Sequence, residues 1–204
     1  MKIPSALHFF ANHLREIEPA AERPPCLLST QPGCLALAMT VLMQQEPSPG
    51  KGPTHLLIVP TQEEAEQLYE DLKFFHALMG RDTDCLSLFP PWATVPYNPA
   101  LPAHSVICQR VRTLHRLSQG NAIILVSSLP AVLHKLIPPA TFQDACFALR
   151  VGDTYARDWL LGSLIRLGYQ RGSLAEIPGE FSVRGGIVDI FSTAQDDPVR
   201  IEFL

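Results

Sequence analysis

Apolar residues recur along this chain with two periods, one near 3.6 and one near 2, and their alternation lays out the elements. Ala6 to Ile17 reads as a short helical arm running into a Pro-rich link. Cys26 to Ser29 is a short apolar run, a strand by this pattern. A turn at Gln31-Pro32-Gly33 and a helical stretch from Leu35 to Gln44 follow. His55 to Val59 reads as a second buried strand. Thr61 and Glu64 have the spacing of a capping box, in which each side chain closes an orphan N–H of the first turn. Glu63, Glu64 and Glu66 suit the positive end of the helix dipole. Ala65, Leu68, Leu72, Phe75 and Met79 then mark one buried helical face, with Gly80 placed to stop it. Thr83 to Phe89 is a third strand and Pro91 to Ala103 an irregular aromatic loop. Ser105 is positioned to cap a helix through Leu117. Ala122 to Ser127 is a fourth strand, and Pro130 to Ile137 a last helix closed by Pro138-Pro139. Strands alternating with helices predict an α/β domain over residues 1–139 with a parallel, doubly wound, P-loop-like sheet.

The pattern changes near residue 140. Cys146 to Arg150 reads as a strand and Thr154 to Leu167 as a helix ended by Gly168. Gln170 to Glu176, Phe181 to Phe191 and Val199 to Leu204 read as further strands. One helix against such a meander predicts a small α+β domain with an antiparallel sheet over residues 140–204. The last residues, Arg200-Ile201-Glu202-Phe203-Leu204, form an apolar strand still in need of a partner, which suggests a fragment.

Composition narrows the function classes. Apolar residues make up 47% of the chain and no apolar run approaches the roughly 18 residues that span a membrane, so a cytoplasmic location is expected. The five cysteines and seven histidines are scattered, with no C-x-x-C, so neither a zinc site nor a disulfide framework is expected. The net charge of −4 does not suit a module built mainly to grip phosphates.

Catalytic chemistry is expected to be absent. A phosphate loop needs G-x-x-x-x-G-K-[ST], because glycines let backbone N–H groups surround the phosphates while Lys and the hydroxyl meet oxygens and magnesium. The chain offers Ser29-Thr30-Gln31-Pro32-Gly33-Cys34-Leu35-Ala36 at the corresponding place. Gln31, Pro32 and Gly33 therefore mark a degenerate nucleotide loop. Gly33 suits a tight turn, with a vestigial anion site as the alternative. There is no G-x-S-x-G and no H-E-x-x-H. Arg110, Arg112, His115 and Arg116 form a basic stretch, either a solvated helix face or a nucleic-acid or partner surface.

Two stretches carry a resemblance. Leu88-Phe89-Pro90-Pro91-Trp92-Ala93-Thr94-Val95-Pro96-Tyr97-Asn98, continuing to Gln109-Arg110-Val111-Arg112-Thr113-Leu114, is similar to the W-E-T-L-P-Y-D loop and Q-R-L-x-T-L helix of the bacterial transcription–repair coupling factor family. Pro178-Gly179-Glu180-Phe181-Ser182-Val183-Arg184-Gly185-Gly186-Ile187-Val188-Asp189-Ile190-Phe191, then Pro198-Val199-Arg200-Ile201-Glu202-Phe203, resembles it more specifically. Ala93, Ser192 and Leu204 depart from the family's Glu, Pro and Phe. The F-x-V-R-G element is shared with the helicase UvrB, which keeps an intact phosphate loop and a long Tyr-rich hairpin. The resemblance implies the N-terminal UvrB-like region, whose second domain binds the damage-recognition ATPase UvrA. It implicates Arg184, Arg200 and Leu204. It also implies that ATP and magnesium, RNA polymerase and duplex DNA are engaged by parts of the intact translocase beyond this chain, and that the chain itself is not an enzyme. The alternatives are an ATP-binding UvrB-type helicase domain and a DNA-binding module on the Arg110 helix.

Strand alternation gives these residues a surface. If Phe181 to Phe191 is one strand, the odd positions Phe181, Val183, Ile187 and Phe191, with Val199, Ile201 and Phe203, face the Trp159-Leu160-Leu164-Leu167 helix. Asp189 is the exception. The even positions Arg184, Val188, Ile190, Arg200, Glu202 and Leu204 then form the outer face, either a partner-binding surface, as the resemblance implies, or a solvated face with incidental aliphatics. Arg200 would lie opposite Ile190, about 20 Å along the strand from Arg184. A bulge at Gly185-Gly186 would reverse the parity of everything after it.

Overall fold

The computed structural model describes residues 32–42, 54–92, 103–121 and 123–203. The expected arm over residues 6–17, the strand over 26–29, Gln31, Leu204 and most of the aromatic loop lie outside these. The described elements run α1 (Pro32–Leu42), β1 (His55–Val59), α2 (Gln62–Leu78), β2 (Leu86–Phe89), α3 (His104–Ser118), β3 (Ile124–Ser128) and α4 (Leu129–Val132). Then come α5 (Pro139–Ala145), α6 (Arg157–Arg166), β4 (Gln170–Arg171), β5 (Glu180–Arg184), β6 (Ile187–Phe191) and β7 (Val199–Glu202). The chain is mixed α/β and divides into two compact units, Met1–Pro91 with Gly120–Leu133, and Trp92–Gln119 with His134–Leu204.

The first unit is a parallel three-stranded sheet in the order β1-β3-β2. His55 and Leu86 both lie in register with Ile124, one on each side of the central strand. Every residue of β3 is buried, as expected of a strand covered on both faces, and its Ile124-Leu125-Val126 run supplies the apolar surface. At the start of α2 the Glu64 N–H donates to Thr61 Oγ1 at 3.2 Å, one half of the expected capping box. Ala65, Leu68 and Leu72 on its inner face join Ala36, Leu86, Ile124 and Val126 in one core. Gly80 ends the helix with a φ of 67°.

The second unit contains α3, α5, α6 and a four-stranded sheet in the order β4-β5-β6-β7. Its core is Leu160 and Leu164 of α6 against Phe181, Val188 and Ile190. The sheet is mixed, which corrects the antiparallel expectation: β4 pairs parallel to β5. After β4 the chain doubles back, so that Gln170 N–H donates to Gly179 O and Gly172 N–H to Phe181 O. β5 thus starts from the same end of the sheet as β4.

Several boundaries move for local reasons. Pro32 and Gly33 open α1 rather than forming a turn before it, and a proline has no N–H to leave unpaired in a first turn. Ser105 lies inside α3, whose cap position is Ala103. The helix expected from Pro130 to Ile137 is the single turn α4. Pro138-Pro139 does not close a helix but starts one, α5, with Phe142 N–H donating to Pro138 O at 3.0 Å. Residues 146–150, expected as a strand, follow α5 without regular structure. Trp159 and Leu167 are exposed at 44% and 41%, so only Leu160 and Leu164 of the expected four-residue face are buried.

Candidate functional site

The site residues stand on the sheet of the second unit, and a two-glycine turn decides which way they face. Phe181 to Phe191 is not one strand. Arg184 pairs with Ile187 across Gly185-Gly186, which makes a tight antiparallel hairpin of β5 and β6. Gly185 has a φ of +60°, the left-handed region that two-residue hairpin turns require. Arg157 of α6 donates to Gly185 O at 2.9 Å and anchors the turn.

Such a turn reverses parity. Val188 and Ile190, expected outside, face the core at 0% and 8% exposure, while Ile187, Asp189 and Phe191 move to the other face. β7 pairs antiparallel with β6 and reverses parity again, so Arg200 lies opposite Asp189, not Ile190. The outer face therefore carries two rows across three strands. One is Ser182, Asp189 and Arg200; the other is Arg184, Ile187 and Glu202. The two arginines share this face, two strands and two residues apart, which is roughly 12 Å rather than 20 Å.

Arg200 grips Asp189 with both arms of its fork, Nε to Oδ1 at 2.7 Å and Nη2 to Oδ2 at 3.1 Å. The Arg200 side chain is 57% exposed and the Asp189 side chain 14%. Hydrogen bonds from Arg200 hold the Asp189 carboxyl below its ordinary range against the opposing effect of desolvation, and the charge of Arg184 adds to the lowering. Arg184 donates to Ser173 O at 3.2 Å and stays exposed. The pairing leaves the Arg200 Nη1 arm directed away from Asp189, so one partner carboxylate could be added without dismantling the pair. Leu204 lies outside the described residues.

The other sequence candidates end elsewhere. Arg110 is 1% exposed, with its guanidinium 4.3 Å from the centre of the Trp92 ring. Arg112 donates to Thr193 O, Gln195 O and Asp196. Two of the four residues of the basic stretch are thus engaged within the unit rather than presented to a solvated face. Of the degenerate nucleotide loop, Gln31 lies outside the described residues, and Pro32 and Gly33 belong to the first turn of α1. Among the described residues no cluster of His, Cys, Asp and Glu could hold a metal ion, and no helix is long and apolar enough to cross a membrane. Sequence reasoning missed Ile187, Asp189 and Phe191 on the outer face. The Gly-Gly pair at 185–186 was the signal that could have found them.

Comparison with known proteins bears directly on this sheet. The family described as "UvrB interaction domain" matches residues 147–204, which contain all four of its strands. The chain is 35% identical over 147 residues to the transcription-repair-coupling factor of Myxococcus xanthus, a match covering 70% of this chain and 12% of that protein. Over that stretch the chain is similar to part of a transcription-repair-coupling factor. It is 33% identical over 115 residues to the coupling factor of Bacillus subtilis, covering 56% of this chain and 10% of that one. With that of Mycobacterium tuberculosis it shares 30% identity over 155 residues, 72% of this chain and 12% of the other. The chain thus spans about an eighth of the coupling factors it matches, and the four-stranded sheet lies in the stretch that the interaction-domain family matches.

Proposed function

We propose that this chain is a non-catalytic module of a transcription–repair coupling factor that docks UvrA, through Arg184 and Arg200 on the outer face of β5, β6 and β7. The observation that carries the reading is the pairing register, which puts the two exposed arginines on one face of the sheet inside the stretch matched by the interaction domain. Both present planar guanidinium forks suited to partner carboxylates, and Ile187 and Phe191 add apolar area between charges. The partner side is then a surface with at least two acidic groups roughly 12 Å apart.

In this reading the first unit is a P-loop-like domain that has lost its ligand chemistry, and the chain itself takes no cofactor. ATP and magnesium, RNA polymerase and duplex DNA belong to parts of the intact protein outside this chain. The internal engagement of Arg110 and Arg112 argues against a DNA-binding face on α3. The test is calorimetric titration of the chain into purified UvrA, beside Arg184→Ala and Arg200→Ala. Each variant is expected to lose about 2–5 kcal/mol, a weakening of roughly thirtyfold or more, with its circular dichroism unchanged. A folded chain that fails to bind UvrA, or variants that bind as tightly as the parent, would overturn the reading.

A further inference from the structure

The Gln109-Arg110-Val111-Arg112-Thr113-Leu114 motif has no place in the docking face, yet both of its arginines are engaged within the unit. Arg110 is spent under Trp92. Arg112 spends all three arms of its fork on one target, the connection between β6 and β7. Its Nε donates to Thr193 O at 3.3 Å, Nη1 to Asp196 Oδ1 at 2.5 Å, and Nη2 to Gln195 O. These partners are more than 80 residues away in sequence. The same connection is held at a second point, where Thr193 N–H donates to Tyr169 Oη at 3.2 Å.

What hangs from this connection is β7. That strand is four residues long and, among the described residues, lies at the edge of the sheet and is paired only to β6. Three of its four residues, Val199, Arg200 and Glu202, are exposed, and Ile201 is half-buried. A short edge strand with so little buried apolar area has weak means of fixing its own register. Tying the incoming connection to a helix of the same unit supplies that constraint. Resting on the docking reading above, we infer that Arg112 is a positioning residue: it clamps the β6–β7 connection and so sets where Arg200 stands on the docking face. A guanidinium suits the task because two backbone carbonyls and a carboxylate can be bound by one planar group, whereas a lysine ammonium has a single donor centre for three separated acceptors. Preformed strand geometry then spares the complex the ordering of β7 on binding.

Two measurements on the 204-residue chain test this. Amide hydrogen exchange reads the clamp without any partner. Arg112→Ala is expected to speed exchange across Val199–Glu202 about tenfold or more relative to β5, and equal exchange in variant and parent would overturn the inference. Titration into UvrA reads the consequence. Arg112→Ala is expected to weaken binding about tenfold, and to add little when Arg200 is already alanine, because both act through one guanidinium. Effects that add in full would make Arg112 a general stabiliser and overturn the positioning role. Asp196→Ala, on a side chain 85% exposed, removes one clamp bond without touching α3 and is expected to shift both readouts the same way to a smaller extent. If Arg200→Ala leaves affinity unchanged, the docking reading itself falls, and the inference with it. If Arg200→Ala weakens binding and Arg112→Ala does not, the inference alone falls.

Discussion

His76 is the one fully buried histidine among the described residues, and its surroundings make the stability of the first unit sensitive to acid. Its Nδ1 lies 3.0 Å from Leu72 O and 3.2 Å from Thr40 Oγ1, while the Thr40 hydroxyl donates to Ala36 O at 2.8 Å. Both groups facing Nδ1 accept, which assigns the proton to Nδ1, and burial of Nε2 with no partner among the described residues disfavours a second proton there. Desolvation, helped by the charge of Arg81, pushes the pKa below its ordinary value of 6.5, with the Leu72 carbonyl opposing. Below pH 6.5 the unfolded chain therefore binds a proton that the folded chain refuses. Stability falls as pH drops through 6.5 and levels off only below the folded pKa. Urea titrations between pH 8 and pH 5 are expected to show a steeper loss for the parent than for His76→Gln, and identical slopes would count against this assignment. Sequence periodicity placed Phe75 and Met79 on the buried face of this helix, and His76 was invisible to it. Periodicity along one helix could not show that α1 brings Thr40 Oγ1 to this ring.

At the scale of elements, the β5–β6 hairpin carries the most consequence. The apolar content of residues 181–191 was plain in the sequence, and so was the arginine of the R-G-G element. The turn was not read as a turn, because Gly185-Gly186 is equally compatible with a bulge in one long strand, and both leave the flanking pattern unchanged. Only the pairing of Arg184 with Ile187 distinguishes them. Substituting a β-branched residue at φ +60° forces its Cβ against the following carbonyl, so Gly185→Val is expected to destabilise the second unit by about 1–2 kcal/mol. Gly185→Asn, which tolerates that conformation, is expected to cost clearly less. Chemical denaturation of the two variants checks this, and equal losses would argue for some other origin of the turn. The helix from Thr61 was legible down to its cap because capping, charge and periodicity agreed there. The strand expected over residues 146–150 failed because a short apolar run has no period of its own, and Pro139 started a helix just before it.

For the molecule as a whole, the missing phosphate-loop residues and the proposed docking face make separate predictions. Fluorescent ATP analogues with magnesium are expected to show no saturable binding to the chain at millimolar concentration, and micromolar binding would restore the nucleotide reading. What the sequence determined by itself was chemical and local. It showed the lack of a Lys and hydroxyl after Gly33, the helices with caps and clean periodicity, and the motifs that resemble the coupling factors. These depend on residue identity and on neighbours within a turn or two. What only the tertiary structure decided was everything that passes between distant segments. The parallel pairing of β4, the inward turn of Val188 and Ile190, the Arg200–Asp189 pair and the reach of Arg112 across 81 residues or more are examples. A strand residue's face is set by the register of its partner, and one added turn residue inverts it, so no local pattern can specify which charges share a surface.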